Sequence, residues 1–116
     1  MATRHVVFTF NHLPYGTVYY AEGLRAAVGV TSGIDEHTVD LVYLGDGVHF
    51  AVKDLDRTDS ARYLATFAKQ GVKLKVEKES LEARNISASD LAEDAEIISH
   101  ADAVDLIKRA DLTIAF

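Results

Sequence analysis

The 116-residue chain has no cysteine at all. That absence excludes disulfides, cysteine-ligated zinc and any thiol nucleophile of the chain's own. No apolar run approaches the roughly 20 residues that span a bilayer, and no signal-peptide pattern opens the sequence. A soluble, cytoplasmic protein without membrane contact is the expectation. The 12 Lys and Arg form no dense stripe and are outnumbered by 18 Asp and Glu, giving a net charge of −6. Phosphate backbones call for clustered cations, so direct nucleic-acid binding is not expected. Proline occurs once, at Pro14, and no linker, repeat or low-complexity tract divides the chain. Residues 1–116 are therefore read as one domain.

Present instead is an ordinary globular balance, 48% hydrophobic and 26% charged residues, arranged as alternating strand and helix signals. His5–Phe10 is short, β-branched and aromatic, as a buried strand should be. The stretch Asn11-His12-Leu13-Pro14-Tyr15-Gly16-Thr17 follows. Pro14 fixes φ, Gly16 accepts positive φ, and Thr17 offers a hydroxyl as N-cap of a helix running to Val28. Gly23 within that helix lowers helix propensity by about 1 kcal/mol and suggests close approach to a sheet or another subunit. On adjacent Tyr19 and Tyr20, one ring is expected outside, available to an assembly.

Thr38–Leu44 is the second strand and ends at Gly45-Asp46-Gly47. Residues 48–52 suit a short helical turn. Thr58-Asp59-Ser60 supplies caps for a helix to Gln70 that buries Tyr63, Leu64 and Phe67 and stops at Gly71. Val72–Val76 alternates strictly. Its two lysines predict a solvated face or a protected edge, with Glu77 at the strand's end. A short helix over 79–84, a capped turn at Ser87–Asp90 and a strand at Glu96–Ile98 come next. Ser99 then caps a helix carrying Val104, Ile107 and Ala110. Leu112–Phe116 closes the chain as a buried fifth strand, whose loss is expected to unfold the protein. Five strands alternating with helices predict an α/β, three-layer α/β/α domain with a five-stranded parallel sheet and right-handed crossovers.

In such a fold ligands gather at the carboxyl edge of the sheet. Residues 11–17, Asp46 with Gly47, and Glu77 are expected to meet there. His12, Pro14, Tyr15, Gly16, Asp46, Gly47 and Glu77 are accordingly the candidate cleft or interface residues. His12 suits an acid, a base or a ligand, and equally a solvated loop histidine. Asp46 suits a polar ligand contact, and equally a turn closed through its own side chain. Glu77 beside Lys75 and Lys78 also fits a plain solvated charge. Glu22 on the first helix is a further candidate for the cleft, though a surface helix glutamate is commoner. His49 and His100 have no partner at metal-ligand spacing and read as structural, so no metal and no cofactor are expected. Phosphate-cradling, dinucleotide and nucleophile-elbow glycine motifs are absent.

Taken in order, several pieces carry a family resemblance: the apolar first strand, Pro14-Tyr15-Gly16-Thr17, Glu22-Gly23-Leu24, Asp46-Gly47-Val48, Tyr63-Leu64-Ala65-Thr66-Phe67, Val76 to Arg84 with Ser80-Leu81, and the strand ending in Phe116. With them the chain resembles the DsrE/DsrF-like (DsrEFH) sulfur-relay family, most closely its DsrF/TusC branch. The resemblance implies a five-stranded parallel three-layer fold assembling into trimers or hexamers. Members pass sulfane sulfur as a cysteine persulfide, for tRNA wobble-uridine thiolation or for sulfur oxidation. It also implies that Glu77 stands where active members keep the carrier cysteine, so this chain has no persulfide carrier and no catalytic residue of that kind. A non-catalytic subunit packed beside cysteine-bearing DsrE-like chains follows. The alternatives are a stand-alone homo-oligomer binding a small ligand at the carboxyl edge, and an enzyme with Glu77 as base and His12 as acid.

Overall fold

A computed structural model describes residues 3–32 and 37–116; Ser32-Gly33 and Asp35-Glu36 predict a loop over Gly29–His37, of which residues 33–36 lie outside the described residues. Five strands, β1 (His5–Phe10), β2 (Thr38–Tyr43), β3 (Leu74–Glu77), β4 (Ala95–Ile98) and β5 (Leu112–Ala115), pair in parallel in the order β4-β3-β2-β1-β5. The helices are α1 (Tyr19–Thr31), α2 (Ala61–Gln70), α3 (Lys78–Ala83) and α4 (His100–Arg109), with a 3-10 segment over Gly45–Ala51. The α/β architecture expected from the alternation of signals is the one observed.

Alternate residues of β1 and β2 feed two cores, joined by β3 on one face and by Ile98 of β4 on the other. Phe8, Phe10, Leu41, Tyr43, Leu74 and Val76 pack with Leu24 and Ala27 of α1 and Phe67 of α2. Val7, Val42 and Ile98 take the opposite face and pack with Ala103 of α4, joined by half-buried Leu106 and Ile107. The period-2 strand pattern is thus covered on both sides, as parallel sheets require.

Gly23 explains how α1 comes so close. A Cβ there would lie 2.3 Å from Cε1 of Phe10 and 3.0 Å from Cγ of Phe116. Gly71 ends α2 with φ +74°, as anticipated, and the Ser99 hydroxyl accepts the Asp102 N–H to cap α4.

Four local expectations differ from the structure. Thr17 does not cap α1: its hydroxyl donates back to the Leu13 carbonyl at 3.3 Å, and the helix starts two residues later behind Val18, without a side-chain cap. At α2 the residues 58–60 form a 3-10 turn, closed by Asp56, which accepts from both N–H and hydroxyl of Thr58. The strand β3 is interior, not an edge, and Lys75 is half-buried with Nζ 2.7 Å from Asp40. The other Asp40 oxygen lies 2.7 Å from His5 Nε2, so a shared carboxylate replaces the expected solvent. Finally, β5 is an edge strand with mostly exposed side chains. Its anchor is Phe116, whose ring stacks with Phe8 and Phe10 and whose backbone bonds Thr9 and Asn11.

Candidate functional site

Because every strand runs the same way, the ends of β1 to β4 open onto one edge. The chain leaves β2 through Leu44 into the turn at Gly45, leaves β3 directly into α3, and leaves β4 through Ser99 into α4. Glu77 is in register with Ile98, so the start of α4, two residues further on, reaches Glu77.

A connected set of hydrogen bonds results. The Gly45 N–H donates to Ser80 Oγ at 2.9 Å, and the Ser80 hydroxyl donates to Glu77 Oε1. The other Glu77 oxygen faces His100 Nδ1 at 2.6 Å. Glu79 adds a second hold on the same residue, its Oε1 accepting the His100 backbone N–H at 2.8 Å. Beside this set, Arg84 donates through Nε and Nη2 to Asp46 Oδ1 and through Nη1 to the Ser80 carbonyl. The Glu77 side chain is only 11% exposed, whereas the His100 side chain is 63% exposed.

Burial alone would push the Glu77 carboxyl up. Hydrogen bonds from Ser80 and His100, with the charges of His100 and Arg84, outweigh it and hold the carboxyl below its usual range. His100 is raised, chiefly by its hydrogen bond and charge interaction with Glu77, with a smaller contribution from Glu79. Both shifts describe one arrangement, a carboxylate stabilised by an imidazole that it keeps oriented.

The candidate residues on the first loop lie apart from this set. His12 is exposed and stacks on the Tyr19 ring at 4.3 Å between centroids. Pro14 is buried, Gly16 takes φ +69°, and Tyr15 is 56% exposed. Tyr15, Val18 (68%) and Tyr19 (47%) form the most exposed apolar stretch of the described chain. No described hydrogen bond joins His12 or Tyr15 to Glu77, so the geometry gives the Glu77–His12 acid–base pair no support. Glu22 stays on the surface with Arg25 at 3.8 Å.

Gly47 touches the loop through its backbone. A Cβ there would stand 1.9 Å from the Phe10 carbonyl oxygen and 3.3 Å from the Asn11 nitrogen. The second turn is therefore pressed against the root of the first. Of the three anticipated spots, the structure links 45–46 to Glu77 through Ser80 and Arg84. It leaves the His12 and Tyr15 side chains outside.

His100, read from sequence as structural, is the residue that reasoning missed. Its partner is 23 positions away. The available signal was the Ser99 cap, which places His100 at the first turn of a helix directly after a strand. Its value needed the β3–β4 register. Among the described residues, no group of three or more His, Asp or Glu is placed to hold a metal ion. No helix there is long and apolar enough to cross a membrane.

Residues 4–116 match the DsrE/DsrF-like family. The chain belongs to that family. Within it, this DsrE/DsrF-like chain is 42% identical over 43 residues to the protein TusC of Buchnera aphidicola subsp. Schizaphis graminum (strain Sg). That stretch is 37% of this chain and about a third (34%) of the TusC length. Two solved structures share the fold over nearly all of both chains. The ychN protein from E. coli superposes with a TM-score of 0.84 at 21% identity, covering 98% of this chain and all of that one. The protein of unknown function MTH1491 from Methanobacterium thermoautotrophicum gives 0.78 at 16% identity, covering 97% and 99%. At those identities the likeness speaks for the fold.

Proposed function

We propose that this chain is a non-catalytic, DsrF/TusC-like subunit of an intracellular sulfur-relay complex. One observation carries the reading: a chain that matches the DsrE/DsrF-like family over residues 4–116 contains no cysteine. A persulfide needs a thiol, and the residue at the end of β3, where the resemblance places the carrier cysteine, is Glu77. A carboxylate cannot hold sulfane sulfur. What remains is a scaffold, residues 1–116 as one domain, that packs beside cysteine-bearing DsrE-like chains and helps form a docking surface. The match to part of TusC supports this branch. Thiolation of tRNA wobble uridine or sulfur oxidation is the pathway class, in the cytoplasm, within a trimer or hexamer. The exposed Tyr15, Val18 and Tyr19 supply an apolar surface suited to a subunit contact.

The competing reading is a stand-alone homo-oligomer that binds a small ligand at the carboxyl edge. The linked polar groups there, Asp46, Glu77 and His100, favour keeping it. Native mass spectrometry on the assembly purified gently from its own cells separates the two. A mixed complex with a cysteine-bearing chain of similar size is expected. A pure homo-oligomer carrying extra bound mass would replace the relay reading with the ligand-binding one.

A further inference from the structure

The hydrogen bonds around Glu77 fix the protonation pattern of an exposed imidazole. Ser80 Oγ accepts the Gly45 N–H and spends its own proton on Glu77 Oε1. Oε2 remains for His100 Nδ1. An ionised carboxylate only accepts, so Nδ1 must carry a proton. In the neutral ring the lone pair then lies on Nε2, on a side chain that is 63% exposed. Glu79 fixes the backbone of the same residue. A solvated charge pair has no need of this arrangement; an imidazole presented outward as a base does.

We propose that Nε2 of His100, positioned by Glu77, is the acid–base group this subunit brings to sulfur transfer between cysteine residues of its partners. The inference rests on the relay reading above for the complex and its cysteine-bearing partners, and it amends the scaffold role: the chain carries no sulfur itself but assists the transfer. The acceptor thiol, R–SH, gives its proton to Nε2. The resulting thiolate forms a bond to the outer sulfur of a persulfide, R′–S–SH, as the R′S–S bond breaks. The leaving thiolate, R′–S⁻, takes the proton back from Nε2–H. The sum is R–SH + R′–S–SH → R–S–SH + R′–SH, with no net oxidation. A free thiol with pKa of about 8.5 is mostly protonated at neutral pH, so a nearby base raises the attacking fraction. A chain without cysteine can still act on the reaction in this way. The charged groups facing the imidazole are Glu77 on β3 and Glu79 on α3, with Arg84 acting on Glu77.

Glu77→Gln makes the positioning testable. The Ser80 hydroxyl would hold the amide oxygen, which turns the amide NH₂ toward Nδ1. That nitrogen becomes an acceptor and the ring proton moves to Nε2. Long-range ¹H–¹⁵N spectra of the isolated chain read the tautomer directly. His100→Gln should fold normally, because the ring is exposed and the backbone bond to Glu79 is kept.

The deciding experiment uses the complex purified from its own cells with wild-type, H100Q or E77Q chain, and ³⁵S-labelled cysteine persulfide as sulfur source. Transfer of label to the partners' thiols is followed across pH. With subunit composition unchanged, H100Q is expected to slow transfer by about 10²-fold. E77Q should slow it too, invert the tautomer and displace the pH profile. An intact complex in which H100Q transfers sulfur at the wild-type rate and pH profile would overturn the role of His100 alone. Absence of any cysteine-bearing partner would overturn the relay reading and this inference with it.

Discussion

The loop over residues 11–19 and the junction of β3, α3 and α4 stand at the same edge of one sheet, yet they are built from opposite materials. The loop presents rings and an isopropyl group to solvent, with His12 lying flat on Tyr19. The junction connects Gly45, Ser80, Glu77 and His100 by consecutive hydrogen bonds and buries the carboxylate at their centre. An apolar surface with little internal bonding suits contact with another chain. A buried carboxylate with every oxygen engaged suits fixing a proton. On the functions proposed above, the difference divides the labour of the edge: one region for association, the other for chemistry.

The largest expected effect lies where the two regions touch. Gly47→Ala would set a Cβ 1.9 Å from the Phe10 carbonyl oxygen and 2.7 Å from its carbon. Both are backbone atoms of β1 that cannot swing aside, so the turn must leave the root of the loop. A loss of about 3 kcal/mol or more is expected, read by urea unfolding. A variant with wild-type midpoint would mean that the two regions are not mechanically joined.

Much of this division depends on information the sequence holds only in part. The strand β1, the stop at Gly71 and the Ser99 cap were legible because each signal and its partner lie within a few residues. The close approach at Gly23 was legible as a cost to the helix, though not its cause in Phe10 and Phe116. The start of α1 differs because the Thr17 hydroxyl, instead of accepting a helix N–H, donates backward to the Leu13 carbonyl. Lys75 was misread because alternation says which face a residue takes, not whether Asp40 waits there. His100 was missed for the same reason, since its value comes from Glu77 across strands. The family itself was legible from ordered short pieces, and the match over residues 4–116 agrees.

The next effect tests the junction alone. Ser80→Ala removes both the acceptor of the Gly45 N–H and the donor to Glu77, in a residue only 7% exposed. Two groups lose their partner in a poorly hydrated place, which predicts a loss of about 2 kcal/mol. Tyr15→Ser in the loop should change stability by less than about 0.5 kcal/mol. Equal losses in the two variants would erase the contrast between the regions.

A smaller effect concerns pH. The folded pKa of His100 is raised above its ordinary value of about 6.5. Such a group stabilises the fold fully below its unfolded pKa, and the contribution disappears as pH rises through the folded pKa. His100→Gln should therefore lower the melting temperature slightly at about pH 5.5, and by progressively less toward pH 8. Glu77 must stay ionised for this, and its own lowered pKa ensures that it does. A difference that grows with pH would contradict the pairing.

The smallest effect on the folded chain is expected in the loop, and there it is the most informative. Of the adjacent tyrosines, Tyr20 turns inward, tilting against Phe50 with ring centroids 5.5 Å apart and its hydroxyl directed at Asp59. Glutamate at Tyr20 would thus damage the core and confound any test of assembly. Tyr19 is the outward ring, 47% exposed and supporting His12. Tyr19→Glu costs the isolated fold little, within about 0.5 kcal/mol. A buried unpaired charge in a subunit contact costs several-fold more. The variant should therefore elute later from a size-exclusion column while melting no earlier in dilute solution. Unchanged elution would remove residues 15–19 from the interface and leave their exposure without a role in assembly.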